Sequence, residues 1–183
     1  GHAITPPTHM EEALRMMLCF VQKMNSEWNG TQSLTSFDTM LAPFVRHDKL
    51  GLDEVKFLLG QFLHGLNTCP RWKHGYNTFL HFDWAVPADL AGLPAVIGGK
   101  VQDDCYGEFQ LEMDMVNRAT IELIDENVNR SSPTATAIAY SIAEGFDWKS
   151  DNTQSLFTVV EKGWAPSFIN FSFSGLHPWD LRI

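Results

Sequence analysis

The hydrophobic positions in the first third of the chain recur at the period of an α-helix. From Thr8 to Trp28, apolar side chains follow one another at three- and four-residue intervals and form one continuous stripe, which is typical of an amphipathic helix. Thr8 and Glu11 have the spacing of a capping box. The same apolar spacing returns after Asp53 and predicts a further helix that ends by Asn67.

Between these two helices the pattern predicts two short elements. A second helix begins near Thr35 or Ser36, and Pro43 limits its length because proline has no amide hydrogen to donate. Phe44 to Asp48 is then predicted as a brief strand that leads into a turn at Gly51.

In the last third of the chain the pattern favours strands. Apolar and polar residues alternate from Phe109 to Met115, although a helix also fits there. Thr120–Val128 and Thr134–Glu144 are predicted as one pair of strands, and Ser155–Glu161 and Phe168–Ser174 as another. Short connections between neighbouring strands imply antiparallel pairing. The pattern therefore predicts an α+β fold.

The middle segment, residues 67–104, has no clear period. It contains Pro70, Pro87 and Pro94, and only Asn77 to Trp84 has the character of a strand. A loop of this length inside a compact domain is usually a lid or a mobile segment. We therefore interpret this segment as an irregular insertion that could act as a lid.

Composition and charge narrow the class of protein. The 183 residues are 44% hydrophobic and 19% charged, which is typical of one globular domain. The net charge of −9 repels phosphate backbones and argues against nucleic-acid binding. No apolar run or signal peptide indicates a membrane or secreted protein, and three widely spaced cysteines suit free thiols. We expect a single cytoplasmic domain over 1–183, in which residues 1–7 are a tag remnant or disordered.

The order of elements carries a family resemblance. Phe20–Asn25 before Phe37–Pro43 looks like the first two helices of the nuclear transport factor 2-like superfamily. Ile121–Leu123, followed by Ala137–Tyr140 and Glu144–Gly145, resembles the central hairpin of that superfamily. The resemblance is to the SnoaL-like polyketide cyclases and ketosteroid isomerases.

What the resemblance implies is a curved antiparallel sheet packed around N-terminal helices, with a cone-shaped, mostly apolar pocket. It also implies a homodimer and a cofactor-independent acid–base enzyme of secondary metabolism. Such an isomerase, cyclase, dehydratase (lyase) or epoxide hydrolase would act on a small hydrophobic molecule. A non-catalytic ligand- or protein-binding module of the same fold is the alternative. The sequence departs from the ketosteroid isomerases at Phe20, where they carry a tyrosine, and has no carboxylate near Phe157.

Arg46 and Asp48 are the first catalytic candidates. On the predicted strand they share one face, and Asp48 matches the position of the family's general base. If that face lines an apolar pocket, Asp48 could transfer protons near neutral pH and Arg46 could stabilise an enolate. The alternative is a solvated strand end.

His81, Asp83 and Tyr140 are the other catalytic candidates. His81 and Asp83 would share a strand face, and a nearby His74 invites a metal interpretation. The spacing lacks a specific metal motif, so we expect no metal site. The alternative is that His81 and Asp83 have surface or hydrogen-bonded structural roles, and that Tyr140 is an ordinary residue of the sheet surface.

Seven further residues are predicted to bind the substrate. They are mostly aromatic or apolar, and their alternative role is to fill the core or cover the sheet. They are Phe20, Met24, Trp28, Phe62, Tyr76, Trp84 and Glu144.

Overall fold

The computed structural model describes residues 5–28, 30–68, 78–129, 136–143, 146–172, 175–177 and 180. The helices and strands alternate along most of the chain. The helices are α1 (Met10–Glu27), α2 (Phe37–His47), α3 (Leu52–Asn67), α4 (Ala88–Ala91), α5 (Gln110–Asn129) and α6 (Asp151–Glu161). The strands are β1 (Gln32–Leu34), β2 (Thr78–Phe82), β3 (Pro94–Ile97), β4 (Lys100–Cys105), β5 (Thr136–Ile142) and β6 (Ser167–Asn170). A 3-10 helix, Tyr106–Phe109, precedes α5.

The two helices predicted from the period of their apolar residues, α1 and α3, are confirmed to within two residues at each end. The predicted capping box of α1 is wrong. Its N-cap is His9, and the backbone amide and hydroxyl of Thr8 both donate to Glu12 instead of Glu11. The acidic partner is therefore one residue further along the chain.

The predicted strand at residues 44–48 is wrong, because α2 runs through Pro43 as far as His47. Every residue from Phe37 to Val45 is buried except Met40. The missing amide of Pro43 costs the helix one hydrogen bond. Burial of the apolar side chains around it outweighs that cost, as tertiary packing commonly does.

The main sheet has four strands in the order β1-β2-β5-β6, and all three pairings are parallel. The predicted curved antiparallel sheet is therefore wrong. Two predicted strands, Thr120–Val128 and Ser155–Glu161, lie within α5 and α6. Parallel neighbours need long connections, which are usually helical, and α6 joins β5 to β6 in this way.

Residues 78–105, in the segment for which the sequence predicts an irregular insertion, contain β2, α4 and the hairpin β3-β4. Gly98 and Gly99 turn the hairpin with φ of 60° and 73°, a conformation that glycine adopts without a Cβ clash. The amide of Gly98 donates to the carbonyl of Pro7 and so attaches the hairpin to the chain before α1. The lid role of this segment stays a prediction.

Aromatic rings fill the space between α2, α3 and the sheet. The ring of Phe37 lies 5.5 Å from that of Phe62 and 5.4 Å from that of Phe82, measured between centroids. Tyr140 lies 5.3 Å from both Phe82 and Trp84. The cone-shaped pocket predicted between helices and sheet is thus replaced by packed rings. No helix in the described ranges combines the length and apolar character needed to cross a bilayer.

Candidate functional site: a buried polar cluster at the carboxyl edge of the sheet

The carboxyl ends of β1, β2 and β5 meet at one edge of the sheet because these strands run parallel. Ligands of parallel α/β sheets bind beyond this edge. Polar side chains converge there in a region that is otherwise apolar. We call this group the Asp38 cluster; its members are Asp38, Thr39, His81, Asp83, Asn117 and Ser141, all at most 3% exposed.

Asp38 is the hub of the cluster. Its carboxylate accepts the backbone amides of Asp83 at 2.8 Å and Trp84 at 2.9 Å. It also accepts the side-chain amide of Asn117 at 3.0 Å and the amide of Thr39 at 3.0 Å. One side chain at the start of α2 therefore connects the end of β2 to α5.

The environment of Asp38 favours its protonated form. Burial, together with the neighbouring charge of Asp83, raises its pKa from 3.8 to about 6, although the hydrogen bonds that the carboxylate accepts act in the opposite direction. Desolvation disfavours the charged state of a carboxyl group, as does a like charge beside it. Asp38 can consequently gain or lose a proton close to neutral pH.

Two residues of the site have backbone conformations that side chains rarely adopt. Trp84 has φ of 68° and Ser36, the N-cap of α2, has φ of 53°. Such conformations are strained and persist where the surroundings fix them. The carboxylate of Asp38 provides one such constraint, because it accepts the amide of Trp84 itself.

A second chain of hydrogen bonds passes through β2. The Thr39 hydroxyl donates to Asp83 at 2.6 Å, and His81 Nδ1 lies 3.9 Å from the other oxygen of Asp83. The amide of Ser36 points at His81 Nδ1 from 3.5 Å, and His81 Nε2 lies 2.7 Å from the Ser141 hydroxyl. If Nδ1 accepts from Ser36, the proton is on Nε2 and is donated to Ser141.

Tyr140 lies next to this cluster on β5. Burial raises the pKa of its hydroxyl, and the charge of Asp38 contributes in the same direction. Within the described part of the chain, the hydroxyl oxygen has no hydrogen-bond partner. Buried tyrosine hydroxyls usually have one, so this group is an exception.

These facts define what the cluster can do chemically. The structure brings together three residues that the sequence predicts to be catalytic, and Trp84 lies beside them. The three are His81, Asp83 and Tyr140, and all of them are buried. Asp38 can bind a proton, and the hydrogen bonds of the cluster hold the ends of β1 and β2 in place. Direct contact with a substrate would need the loop around Trp84 to move.

Arg46 and Asp48 lie away from this cluster and do not share a face, because they end a helix instead of forming a strand. Arg46 forms a bidentate salt bridge with Glu112, in which the two nitrogen–oxygen distances are 2.8 and 2.9 Å. Its guanidinium lies 4.3 Å from the ring centre of Phe109. Arg46 thus anchors α2 to α5.

Asp48 caps the end of α2 and contacts the start of α1. It accepts from the Met10 amide at 2.8 Å and from the rings of His9 at 2.7 Å and His47 at 3.0 Å. Burial opposes its ionisation, but these hydrogen bonds together lower the pKa of the carboxyl group. In the described part of the chain, His9, His47 and Asp48 are the one group of potential metal ligands whose atoms come within 4.8 Å of one another.

The predicted substrate-binding residues are dispersed. Phe20 is 51% exposed and Trp28 68% exposed on α1, whereas Phe62 and Trp84 are buried. Met24 is half-buried on α1. Tyr76, Glu144 and the metal candidate His74 lie outside the described residues.

Sequence reasoning missed the hub of the cluster. Asp38 is the only charged residue between Phe37 and Val45. A lone carboxylate in so apolar a stretch is a usable signal, because buried carboxylates are rare unless they are partnered. Asn117 gave no comparable signal, since it stands in a segment rich in polar residues.

Several solved structures of one enzyme have a fold similar to that of this chain. The anaerobic ribonucleotide reductase from Thermotoga maritima in complex with dATP and CTP has a TM-score of 0.64 at 14% identity, covering 90% of this chain and 29% of that chain. The same reductase with citrate in the active site has a TM-score of 0.68 at 14% identity, covering 88% and 31%. At this identity the likeness shows the fold, and this chain spans less than a third of the length of those proteins.

The family assignment rests on the sequence itself. No curated protein matches the chain. Residues 1–180 match the model of the family described as anaerobic ribonucleoside-triphosphate reductase. The resemblance to the nuclear transport factor 2-like superfamily is therefore wrong, and so are the isomerase, cyclase and related activities inferred from it. Because the match covers nearly all of the sequence, the chain belongs to the anaerobic ribonucleoside-triphosphate reductase family.

Proposed function

We propose that this chain forms part of an anaerobic reductase of ribonucleoside triphosphates and presents the carboxyl edge of its parallel sheet to the nucleotide. The family match over residues 1–180 is the observation that carries the proposal. The parallel order of the strands supports it, because ligands of such sheets bind at the carboxyl edge. Reductase activity as a whole belongs to the proposal, since the chain spans less than a third of the solved reductases.

In this proposal the Asp38 cluster positions the backbone that follows β2 and does not itself contact the nucleotide. Asp38 holds the amides of Asp83 and Trp84, which lie directly after β2. Preorganised sites depend on such supporting hydrogen bonds, because a displacement of about 1 Å can cost 100-fold in rate. The nucleotide would contact the loops that the cluster fixes, while the buried carboxyl groups remain behind them.

The expected ligand is a ribonucleoside triphosphate with Mg²⁺. The reductase from Thermotoga maritima is solved with dATP and CTP, and we extend that ligand class to this chain. The formal net charge of −9 would repel a free triphosphate. A magnesium complex reduces this repulsion, because the ion neutralises part of the phosphate charge. The homodimer expected from the sequence stays a prediction.

The strand β6 offers a matched pair of variants for testing this placement. Asn170 and Ser167 are both exposed and stand at the carboxyl and amino ends of the strand, respectively. Asn170→Asp adds a negative charge at the carboxyl edge and keeps the side-chain oxygen that accepts the Ser172 amide. Ser167→Asp adds the same charge about 10 Å away, roughly one Debye length at 0.1 M salt.

The experiment is calorimetric titration with CTP and with dATP in the presence of Mg²⁺. We expect binding by the unmodified chain, about fivefold weaker binding by Asn170→Asp, or ~1 kcal/mol, and a change below about twofold for Ser167→Asp. Formation of dCTP from CTP under anaerobic conditions then tests turnover. Absence of binding for every ribonucleoside triphosphate at millimolar concentration would refute the proposal, and equal weakening by both variants would refute the carboxyl-edge placement.

A further inference from the structure

Two histidines and an aspartate meet at the other end of α2. His9 precedes α1, His47 is the last residue of α2, and Asp48 is its C-cap. Asp48 stands ten residues after Asp38 along the chain, which corresponds to about 15 Å along a helix axis. We call this group the His9–His47–Asp48 cluster, and it is separate from the carboxyl edge to which the proposed function is assigned.

The three side chains already point at a common centre. Asp48 Oδ1 lies 2.7 Å from His9 Nδ1 and 3.0 Å from His47 Nδ1. The other oxygen, Oδ2, accepts the Met10 amide at 2.8 Å, which fixes the rotation of the carboxylate. The side chain of Asp48 is only 11% exposed, whereas His9 and His47 are 60% and 43% exposed. A buried, oriented carboxylate is therefore flanked by two accessible imidazoles.

We propose that the His9–His47–Asp48 cluster binds a divalent transition-metal ion, with Zn²⁺ as the best match, through Asp48 Oδ1 and the two Nδ1 atoms. Imidazole nitrogen and carboxylate oxygen are both zinc ligands, at about 2.0–2.2 Å. In a tetrahedral site with such bonds, neighbouring ligand atoms are about 3.3 Å apart. The two separations between Asp48 Oδ1 and the imidazole nitrogens need to open by a few tenths of an ångström, and the two nitrogens lie within 4.8 Å of each other.

The balance of protons is simple. In the structure each histidine is placed to donate a hydrogen from Nδ1 to Asp48. The metal ion replaces these two hydrogens: in a neutral ring the Nδ1 proton moves through solvent to Nε2, and a ring that already has a proton on Nε2 releases its Nδ1 proton to water. Because both rings are largely exposed, water can accept from Nε2 in the metal-bound state. The exchange therefore leaves no buried polar group unsatisfied.

The surroundings suit a cation with open coordination positions. A groove of about 700 Å³ runs along the cluster and is also lined by Glu11, Asp53 and Glu54. These carboxylates add negative charge around the ion, and water in the groove can complete the coordination shell. The ion would connect the start of α1 to the end of α2. His9 and Asp48, its ligands from these two places, are 39 residues apart in sequence.

Calorimetric titration of the complete chain with ZnCl₂, after treatment with a chelator and removal of any polyhistidine tag, tests the proposal. We expect one equivalent to bind, and Co²⁺ to give the visible absorption of a four- or five-coordinate site. His47→Ala and Asp48→Asn should each weaken binding at least tenfold; loss of an outer-shell partner already costs 10- to 100-fold in other sites. Asn at position 48 retains an oxygen for the Met10 amide, and circular dichroism checks that the fold is kept.

The matched controls are His64→Ala and His2→Ala. His64 is an exposed histidine on α3, outside the cluster, and both variants should retain the affinity of the unmodified chain. If Zn²⁺ does not bind, or if His47→Ala binds as tightly as His64→Ala, the cluster is only a pair of hydrogen-bonded histidines and the proposal fails. This result is independent of nucleotide binding, so it leaves the proposed function untouched.

Discussion

Asp38, at the start of α2, accepts the backbone amide of Trp84 at 2.9 Å and thereby holds a tryptophan in a left-handed conformation directly after β2. The two residues are 46 positions apart in sequence. Neither would adopt its arrangement alone, because the carboxylate is buried and the tryptophan backbone is strained. The hydrogen bond between the two residues helps to offset both the burial of the carboxylate and the strain of the tryptophan backbone.

Asp38→Ala should lower the free energy of unfolding by about 3 kcal/mol or more. The substitution leaves the buried amides of Asp83 and Trp84 without their acceptor, and each unsatisfied group costs about 1–3 kcal/mol. Urea unfolding followed by tryptophan fluorescence measures the change. Asp103→Ala, an exposed carboxylate on β4, is the control and should change stability by less than about 0.5 kcal/mol. Similar losses in both variants would contradict the role of Asp38 as the hub.

The titration of Asp38 should appear in the pH dependence of stability. Burial, aided by Asp83, raises its pKa from 3.8 to about 6. A group whose pKa is raised in the folded state contributes stability that is fully present below pH about 4 and is lost as the pH rises through about 6. The full difference corresponds to about 3 kcal/mol, at 1.36 kcal/mol per pKa unit.

Asp38→Asn, which cannot titrate, isolates this contribution. Urea unfolding of both proteins between pH 4.5 and 7.5 should show the unmodified chain losing stability relative to the variant as the pH rises. The comparison cancels the carboxyl groups that lie away from Asp38, whereas Asp83, whose charge acts on Asp38, belongs to the difference that is measured. Parallel stability curves would mean that Asp38 is not the titrating group.

The sequence predicts the amphipathic elements of this fold well, for a physical reason. The helices α1 and α3 each have one apolar face, and the strand predicted at Asn77–Trp84 contains β2. The sequence pattern predicts strands within α5 and α6 because these helices contain runs such as Ala119–Ile121 and Thr158–Val160, which are rich in β-branched residues. The intrinsic preference of such residues is weak, and packing against neighbouring helices outweighs it.

The parallel direction of the strands could not be deduced once those helices were missed. With α5 and α6 taken as strands, every connection became short, and short connections imply antiparallel pairs. The candidate site was found only in part, since His81 and Asp83 alternate correctly on β2 whereas Asp38 and Asn117 come from distant helices. The contact between Asp38 and Asn117 depends on tertiary packing, and no local pattern in the sequence predicts it.

Arg46→Lys should destabilise the chain by about 1–2 kcal/mol although it keeps the charge. Lysine cannot reproduce the two-pronged pairing with Glu112 or the stacking over Phe109, and a guanidinium at such a site is not interchangeable with an ammonium. Arg118→Lys is the control, because Arg118 contacts Glu122 through Nε alone and makes one longer hydrogen bond, of 3.2 Å, to the Ser155 hydroxyl. Exposed pairs of that kind contribute about 0.2–1 kcal/mol. Thermal unfolding compares the two, and an equal effect would refute the special role of Arg46.

Tyr140→Phe separates a structural role of Tyr140 from a catalytic one. Its hydroxyl is fully buried and has no hydrogen-bond partner in the described part of the chain. Removing an unpaired buried hydroxyl avoids a desolvation cost of about 1–3 kcal/mol, so we expect the free energy of unfolding to stay constant or to rise. The ring contacts with Phe82 and Trp84 are retained.

Urea unfolding measures the stability of Tyr140→Phe, and the CTP reduction assay measures function on the same protein. A loss of stability above about 1 kcal/mol would show that the hydroxyl has a partner after all. Unchanged stability with lost reduction would instead make Tyr140 a functional residue that remains buried until the loop at Trp84 opens.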